Sequence, residues 1–297
     1  MNLFKNPSFK PMLLTEIKEP FQSSEYLYEV KFDGMRALLF VSSNFFQIQN
    51  RHGKDVTFKF PELKAIKKLV QKPVIFDGEI VAFLHNKPNF MQLQKRIQLK
   101  NSQKIEKIQT KIPVVFVCFD ILYENKNLIN EPLIKRKKHL EKYPDTSYFI
   151  KSFIFKDGIT LFQKVQKLGL EGIVAKKKDS PYEINSRSTS WLKIKNIHQD
   201  VFAIGGYSFK DTTPFATLYI GEVKQNKLYY ITKVAMAKKN HLFTLLQKIK
   251  QKKSPFEDFN EKDIYYVPVK YFCLVSYLEK TAHGLRNPVF KGLVDFD

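Results

Sequence analysis

In the first two thirds of the chain, apolar residues fall mostly in short runs. They either alternate with polar residues or are briefly continuous, and both patterns read as strands. Residues 26–32, 37–41, 45–49, 74–83, 113–122, 172–176 and 192–195 are such runs. Helical candidates lie between them. Residues 61–70 open with Pro61, whose fixed φ suits the first helical position. Residues 132–142 are strongly basic, and residues 160–168 place Phe162, Val165 and Leu168 near one face before Gly169, a C-cap type. Consecutive strands joined by short turns pair antiparallel, so an α+β domain with antiparallel sheets is expected here.

The pattern changes after about residue 198. Short strands at 201–207, 217–223 and 227–233 precede one helix at 241–252, and two further runs follow at 264–271 and 273–279. Five strands and one helix in about 100 residues are what a small OB-type barrel requires. No Gly/Ser linker or repeat separates the halves, and the boundary is expected near 196–199, giving domains 1–197 and 198–297.

Composition narrows the class. With 43% hydrophobic residues among 297, a sizeable core is available and wholesale disorder is excluded. Lys and Arg total 50 against 29 Asp and Glu, a formal charge of +21 spread along the chain. A polyanionic partner is implied, and the spread favours nucleic acid along a broad surface. No apolar stretch approaches the ~20 residues of a membrane helix, and the start MNLFKNPSFKPM lacks a signal-peptide core. Cys118 and Cys273 sit in apolar runs without metal-ligand spacing, so buried free thiols are expected rather than disulfides or structural zinc.

Four places combine apolar strands with charge. Lys31-Phe32-Asp33-Gly34-Met35-Arg36 ends a strand, where Lys31 and Asp33 would share a face; Lys31 is a candidate nucleophile or simply an exposed lysine. Asp77 and Glu79 share a face of the apolar run at 74–81 and call for a cation, either a metal or a salt-bridge partner. Glu171 stands at the mouth of Gly172-Ile173-Val174-Ala175-Lys176. Lys193 and Lys195 point one way from their strand, which suits an intervening phosphate or a solvated edge. Phe119 shares a face with Val115, Val117 and Ile121 in the 113–122 run, and by spacing alone it reads as core. Taken jointly, a lysine, acids for a divalent metal, an aromatic and paired lysines describe a nucleotide site.

In this order the motifs resemble those of covalent nucleotidyltransferases, specifically ATP-dependent DNA ligases, over nearly the whole chain. KFDGMR is similar to the adenylation motif, which implies that Lys31 takes AMP, with Glu29 and Arg36 also on the nucleotide. The resemblance assigns Arg51 of Asn50-Arg51-His52-Gly53 to the ribose-phosphate region, and Glu79 of FDGEIV to the ribose or a metal. It makes Phe119 of FDIL the adenine-stacking aromatic, Glu171 of EGIVAK a second metal-associated acid, and Lys193 and Lys195 of WLKIK the phosphate pair. LGLEGIVAKKKDSPY, SRSTSWLKIK, VFAIGGYS and KPMLL are most similar to the ligase modules of bacterial end-joining enzymes.

Such modules consist of a nucleotidyltransferase (adenylation) domain, here 1–197, and an OB-fold domain, here 198–297. The resemblance implies ATP as AMP donor, Mg2+ or Mn2+, and nicked or broken duplex DNA as substrate. It further implies a monomer working in repair, recombination or replication in a bacterial cytoplasm or nucleoid, with viral or phage origin and end-joining partners also compatible. RNA ligases and capping enzymes share the lysine chemistry, and a DNA-end-binding protein with a decayed site is the non-enzymatic alternative. HGLRNPVFKGL resembles the family's last motif, with Arg286 on ATP, but the chain then ends Val294-Asp295-Phe296-Asp297 where relatives continue with basic residues. Lys291 is the nearest basic replacement. Tyr182-Glu183-Ile184-Asn185-Ser186 likewise stands where relatives carry a Pro-Gly turn, and a looser loop is expected.

Overall fold

Two sheets take up most of the strand residues between Met1 and Asn196, the first of two units into which the chain divides; Ile197–Asp297 is the second. The computed structural model describes all residues except Met1, Asn6, Ser8, Lys250 and 295–297. One sheet runs Phe46–Asn50, Met35–Val41, Val74–Leu84, Val114–Glu124, Phe149–Lys151. The other runs Leu13–Ile17, Arg187–Lys195, Gly172–Lys177, Tyr26–Val30.

Antiparallel pairing dominates, as short turns require, with two exceptions. Leu13–Ile17 lies parallel to Arg187–Lys195, and Phe149–Lys151 lies parallel to Val114–Glu124. Neither pair is joined by a hairpin, so chain direction is unconstrained there. Leu39, Phe76 and Phe116 pack on one face of the first sheet against Phe60, Leu63 and Ile66. Its other face, with Leu38, Phe40 and Ile75, meets Leu27 and Trp191 of the second sheet. The far side of the second sheet, Tyr28, Ile173 and Ile194, is covered by Leu161, Phe162 and Val165 of the helix Gly158–Leu168. The two sheets therefore share an apolar layer, and charged residues pointing into that layer build the site.

A bulge re-aims an aromatic residue into the same layer. Asp77 lies opposite Asp120 but Gly78 lies opposite Cys118, leaving Phe119 as the extra residue on its strand. The extra residue reverses the parity, so Ile121 packs with Phe116 and Cys118 in the other layer rather than beside Phe119.

Helices follow their caps. Asp157 accepts from Thr160 N at 2.9 Å to start Gly158–Leu168, and Gly169 ends it at φ 63°. The basic segment forms Leu133–Leu140. Pro61–Leu69 winds as a 3-10 helix, because Leu63, Ile66 and Leu69 recur every three residues. Phe90–Ile97 and Ser102–Lys111, capped by Asn89 and Asn101, escape the hydrophobic pattern because each buries a single apolar side chain.

In the second unit the strands run Lys227–Ala237, Phe215–Lys224, His198–Phe209, Phe272–Tyr277, Val289–Val294. Leu218, Val234 and Val275 enclose a core with Leu242 and Leu246 of the helix His241–Gln247. That helix stops short of residue 252 because Gln251 N is drawn to Tyr266 O at 3.1 Å. The run at 264–271 shrinks to Tyr265–Tyr266, since Pro268 has no donor for a ladder. Its place among the five long strands is taken by Val289–Val294, whose half-buried alternation gives a weak signal. Both cysteines are buried free thiols, and burial pushes Cys273 up to about 12. Among the described residues no helix is long and apolar enough to cross a membrane.

Arg136 tests the first unit's packing. It has no exposed surface, bonds Asp120 through Nε and Nη2 at 2.9 Å each, and reaches Ser180 O at 3.0 Å. Arg136→Met should destabilise this unit by about 3–5 kcal/mol, because it leaves Asp120 buried without a countercharge. Urea unfolding followed by tryptophan fluorescence reads this directly, since the single Trp191 lies in the same unit.

Candidate active site

Tyr26–Val30 ends one residue before Lys31, whose backbone N–H donates to Gly172 O at 2.9 Å. Residues 31–34 lie outside the strand, so the parity expected to link Lys31 and Asp33 does not apply. Gly34 serves close approach: a Cβ there would stand 2.3 Å from Ile80 O and 2.7 Å from Glu79 Cγ. The chain thereby passes tightly along Val74–Leu84, and Arg36 resumes pairing opposite Glu79. Gly172, at φ 149°, is equally constrained, since a Cβ would meet Ile194 O at 2.1 Å.

Between the sheets opens a cleft lined by Lys31, Arg36, Glu79, Phe119, Lys176 and Trp191, with Glu29 behind them. Lys31 Nζ pairs with Glu171 at 2.7 Å and retains partial exposure. Arg36 binds Asp77 through two hydrogen bonds of 2.6 and 2.7 Å, and its guanidinium lies 4.5 Å from the Phe119 ring centre. Tyr182 donates to the same carboxylate at 2.6 Å. Asp77 is thus a salt-bridge acid, and of the two acids on this strand only Glu79 faces the cleft. Glu29 is buried, with Lys137 Nζ at 2.5 Å and Lys176 Nζ at 3.0 Å. Lys176 Nζ also sits 4.1 Å from the Phe119 ring centre and 4.3 Å from that of Trp191.

Burial sets the protonation of this layer. It pushes the Glu79 carboxyl up to about 8, with Lys31 and Arg36 pulling the other way and Glu171 adding to the push. It pushes the Lys176 ammonium down to about 8 against the pull of Glu29. Glu29 would also be raised by burial, but Lys137 and Lys176 outweigh that and hold it below the usual carboxylate range.

The structure thus brings Glu29, Lys31, Arg36, Glu79 and Phe119 into one cleft, with Glu171 on Lys31. Phe119 lies half-buried at its bulge rather than in the core proper. Lys193 and Lys195 share a face but pair with a carboxylate, Glu16, at 3.2 and 2.8 Å. Arg51 stands apart from these residues. Asn50 Oδ1 accepts from His52 N and Lys54 N, closing a tight turn that leaves Arg51 exposed and outside the cleft lining. The expected looseness at 182–186 does not extend to Tyr182, which is buried and bonded to Asp77. Arg286 belongs to the second unit, at the end of Gly284–Arg286 opposite Glu279. Residues 295–297 of the altered tail lie outside the described residues. Sequence reasoning missed Lys176, although its place two residues beyond Val174 marks it as sharing that face. Glu16 was missed too, because nothing local announces its parallel strand.

No three His, Cys, Asp or Glu side chains form a ligand cluster among the described residues. Glu79 and Glu171 instead flank Lys31 as a pair. Two carboxylates completed by phosphate oxygens and water are a donor set that Mg2+ accepts. A carboxyl forced toward protonation in a buried site also gains from a nearby cation. These residues fit a divalent ion that arrives with a phosphorylated substrate.

The model of the ATP dependent DNA ligase domain family matches residues 11–195. The SPbeta prophage-derived DNA ligase-like protein LigB of Bacillus subtilis is 32% identical over 286 residues, 95% of this chain and 97% of that protein. The multifunctional non-homologous end joining protein LigD of Mycolicibacterium smegmatis is 29% identical over 96% of this chain, which spans only 38% of that protein. Two solved structures have the same fold: the ligase domain of M. tuberculosis LigD and a mycobacterial DNA ligase D complexed with ATP and MES. Each gives a TM-score of 0.58 at 27% identity, covering 96% of this chain and 95% of theirs.

The raised Glu79 carboxyl has a consequence for stability. Between its ordinary value of 4.5 and about 8 the folded chain holds a proton that the unfolded chain has lost, so this group's contribution falls as pH rises through that window. Glu79→Gln carries no such proton. Relative to the native chain the variant should gain stability progressively from about pH 5 to about pH 8 and level off above, as read from urea midpoints. A difference constant with pH would place the carboxyl in water.

Proposed function

The chain belongs to the ATP-dependent DNA ligases, and from that premise we propose how its residues divide the work. The observation that carries the proposal is the position of Lys31 in a cleft between two carboxylates and an aromatic ring. Met1–Asn196 acts as the adenylation domain and Ile197–Asp297 as the OB domain.

Lys31 Nζ, once its proton has left, attacks the α-phosphate of ATP. An N–P bond forms, the bond to the β-phosphate oxygen breaks, and pyrophosphate departs. The AMP of this lysyl–AMP passes to the 5′-phosphate at a nick, which returns Lys31. The 3′-hydroxyl then attacks that phosphate, sealing the strand and releasing AMP. Phe119 is the platform for adenine. Arg36, locked by Asp77, braces that ring and adds positive charge beside it. Lys176 does the same from the other sheet, with Glu29 holding it in place. Lys193 and Lys195 receive phosphate oxygens. Glu79 and Glu171 hold Mg2+ or Mn2+, which when bound supplies charge neutralisation at the phosphates. Arg51, exposed on its turn, takes the ribose-phosphate region of the nucleotide.

A formal charge of +21 supports duplex DNA, nicked or broken, as the substrate held through its phosphates. The end-joining and prophage-derived relatives favour DNA repair or end joining in a bacterial cytoplasm or nucleoid, in a chain of bacterial or phage origin.

Incubation with α-labelled ATP tests the nucleophile. The native chain should become labelled through an acid-labile bond, GTP should label it poorly, and Lys31→Ala should lose the label while still binding nicked duplex. A Lys31→Ala chain labelled at the native rate would move the nucleophile elsewhere.

Arg286 separates the steps. Pyrophosphate leaves only in the first step, so a cation dedicated to it acts only there. Arg286→Ala should slow lysyl–AMP formation by about tenfold or more, a cost of about 1.4 kcal/mol or more. A pre-adenylylated nick should be sealed at near the native rate, and Lys291→Ala should show a weaker version. Equal losses in both single-turnover assays would give Arg286 a role in DNA contact or folding.

A further inference from the structure

Lys193 and Lys195 point to the same side of one strand, and their ammoniums converge on a single oxygen, Oε2 of Glu16. Glu16 reaches them because Leu13–Ile17 runs parallel to Arg187–Lys195 with Glu16 directly opposite Lys193. The cleft lies on this same face. Leu14, two residues before Glu16, and Trp191, two residues before Lys193, both line it. The backbone of this strand is fixed: Ile17 packs under the helix Gly158–Leu168, and Thr15 Oγ1 donates to Ser188 O at 2.9 Å. The Glu16 side chain itself is 43% exposed and can turn aside without disturbing that packing. Hydrogen bonds from Lys195 and Lys193 hold its carboxyl below the usual range, so at neutral pH it is an anion.

One oxygen carrying negative charge, shared by two ammoniums, is the arrangement a phosphate oxygen makes with a lysine pair. The carboxylate and a phosphate cannot both occupy that position. We propose that Glu16 is an internal competitor of the phosphate groups: it holds Lys193 and Lys195 together and is displaced when a phosphate oxygen comes between them. This rests on the reading of the two lysines as phosphate ligands. Glu16 touches no reacting atom, and it acts by setting how tightly the lysines take phosphate and how readily they release it. The phosphate belongs either to ATP and pyrophosphate or to the DNA 5′-end, and the kinetics of the two steps tell these apart.

Glu16→Gln keeps the side chain's length and removes its charge. For exposed pairs of this kind the expected change is about three- to tenfold. The KM for ATP in lysyl–AMP formation should fall by that factor, and pyrophosphate should reverse the step at correspondingly lower concentration. The maximal rate should hardly change. If the DNA 5′-phosphate is the competitor instead, the same fall should appear in the concentration of pre-adenylylated nick needed for half-maximal sealing. The gain should shrink at high salt and in a Lys195→Ala background, where only Lys193 is left for Glu16 to hold. A purely structural role would move neither the salt response nor the split between KM and maximal rate. Lys195→Ala alone separates the two levels of the argument. If it leaves ATP and nick affinities unchanged, the phosphate reading of the lysines falls and the inference with it. If it weakens them while Glu16→Gln leaves them unchanged or weakens them too, the lysines bind phosphate but Glu16 is a fixed strut, and the inference alone is overturned.

Discussion

Arg36 and Asp77 meet through two hydrogen bonds on facing strands, and because Asp77 has no exposed surface the pair can be neither hydrated nor parted cheaply. Much else is attached to it. Arg36 reaches the carbonyl of Met12, and Tyr182, bonded to Asp77, accepts from the Met12 N–H at 3.1 Å. The segment before the first strand, two central strands of one sheet and the 182–186 loop are thereby tied at one point. The Arg36 guanidinium, fixed by this fork, then lies against the Phe119 ring. A lysine in place of Arg36 would keep the charge and lose the planar fork, and with it the brace on that ring.

The same constraint governs the whole layer between the sheets. Charges there are tolerated only where a partner is built in, and most have one: Glu29 with Lys137 and Lys176, Asp120 with Arg136, Asp77 with Arg36. Among the described residues Glu79 stands apart. Lys31 and Arg36 act on it from a distance, yet burial still raises it to about 8. A carboxyl left partly protonated in an otherwise neutralised layer marks the point where an added cation gains most.

Several features were legible because they depend on local rules. Strands, the face shared by Asp77 and Glu79, the Gly169 cap and the nucleotide-site motifs follow from period, turn chemistry and motif order. What was not legible depends on residues far apart. The bulge at Phe119 exists only against the partner strand and turned Ile121 to the opposite layer. The pairing of Glu16 with Lys193 comes from a parallel strand over 170 residues away, where no hairpin announces the register. Spacing correctly brought Lys193 and Lys195 to one face and correctly demanded an anion between them, but it could not tell a carboxylate of the same chain from a phosphate.

Under the proposed roles, that ambiguity has a physical sense. Lys31 is held by Glu171, and Lys193 and Lys195 are held by Glu16, so a phosphate entering the cleft exchanges one anion for another. The net gain is the difference between two similar charge-assisted contacts, which is smaller than the gain from meeting an unpaired cation. A ligase must bind ATP, then release pyrophosphate, then release AMP, all through overlapping groups. Tighter binding of every phosphate species alike would lower KM without raising the rate of chemistry, and it would slow each release. Carboxylates that return to the lysines as a phosphate leaves stabilise the vacated cations, so the cleft pays neither for isolated charge before binding nor for slow release after it. The acids beside the lysines are therefore part of the turnover of the site as well as of its folding.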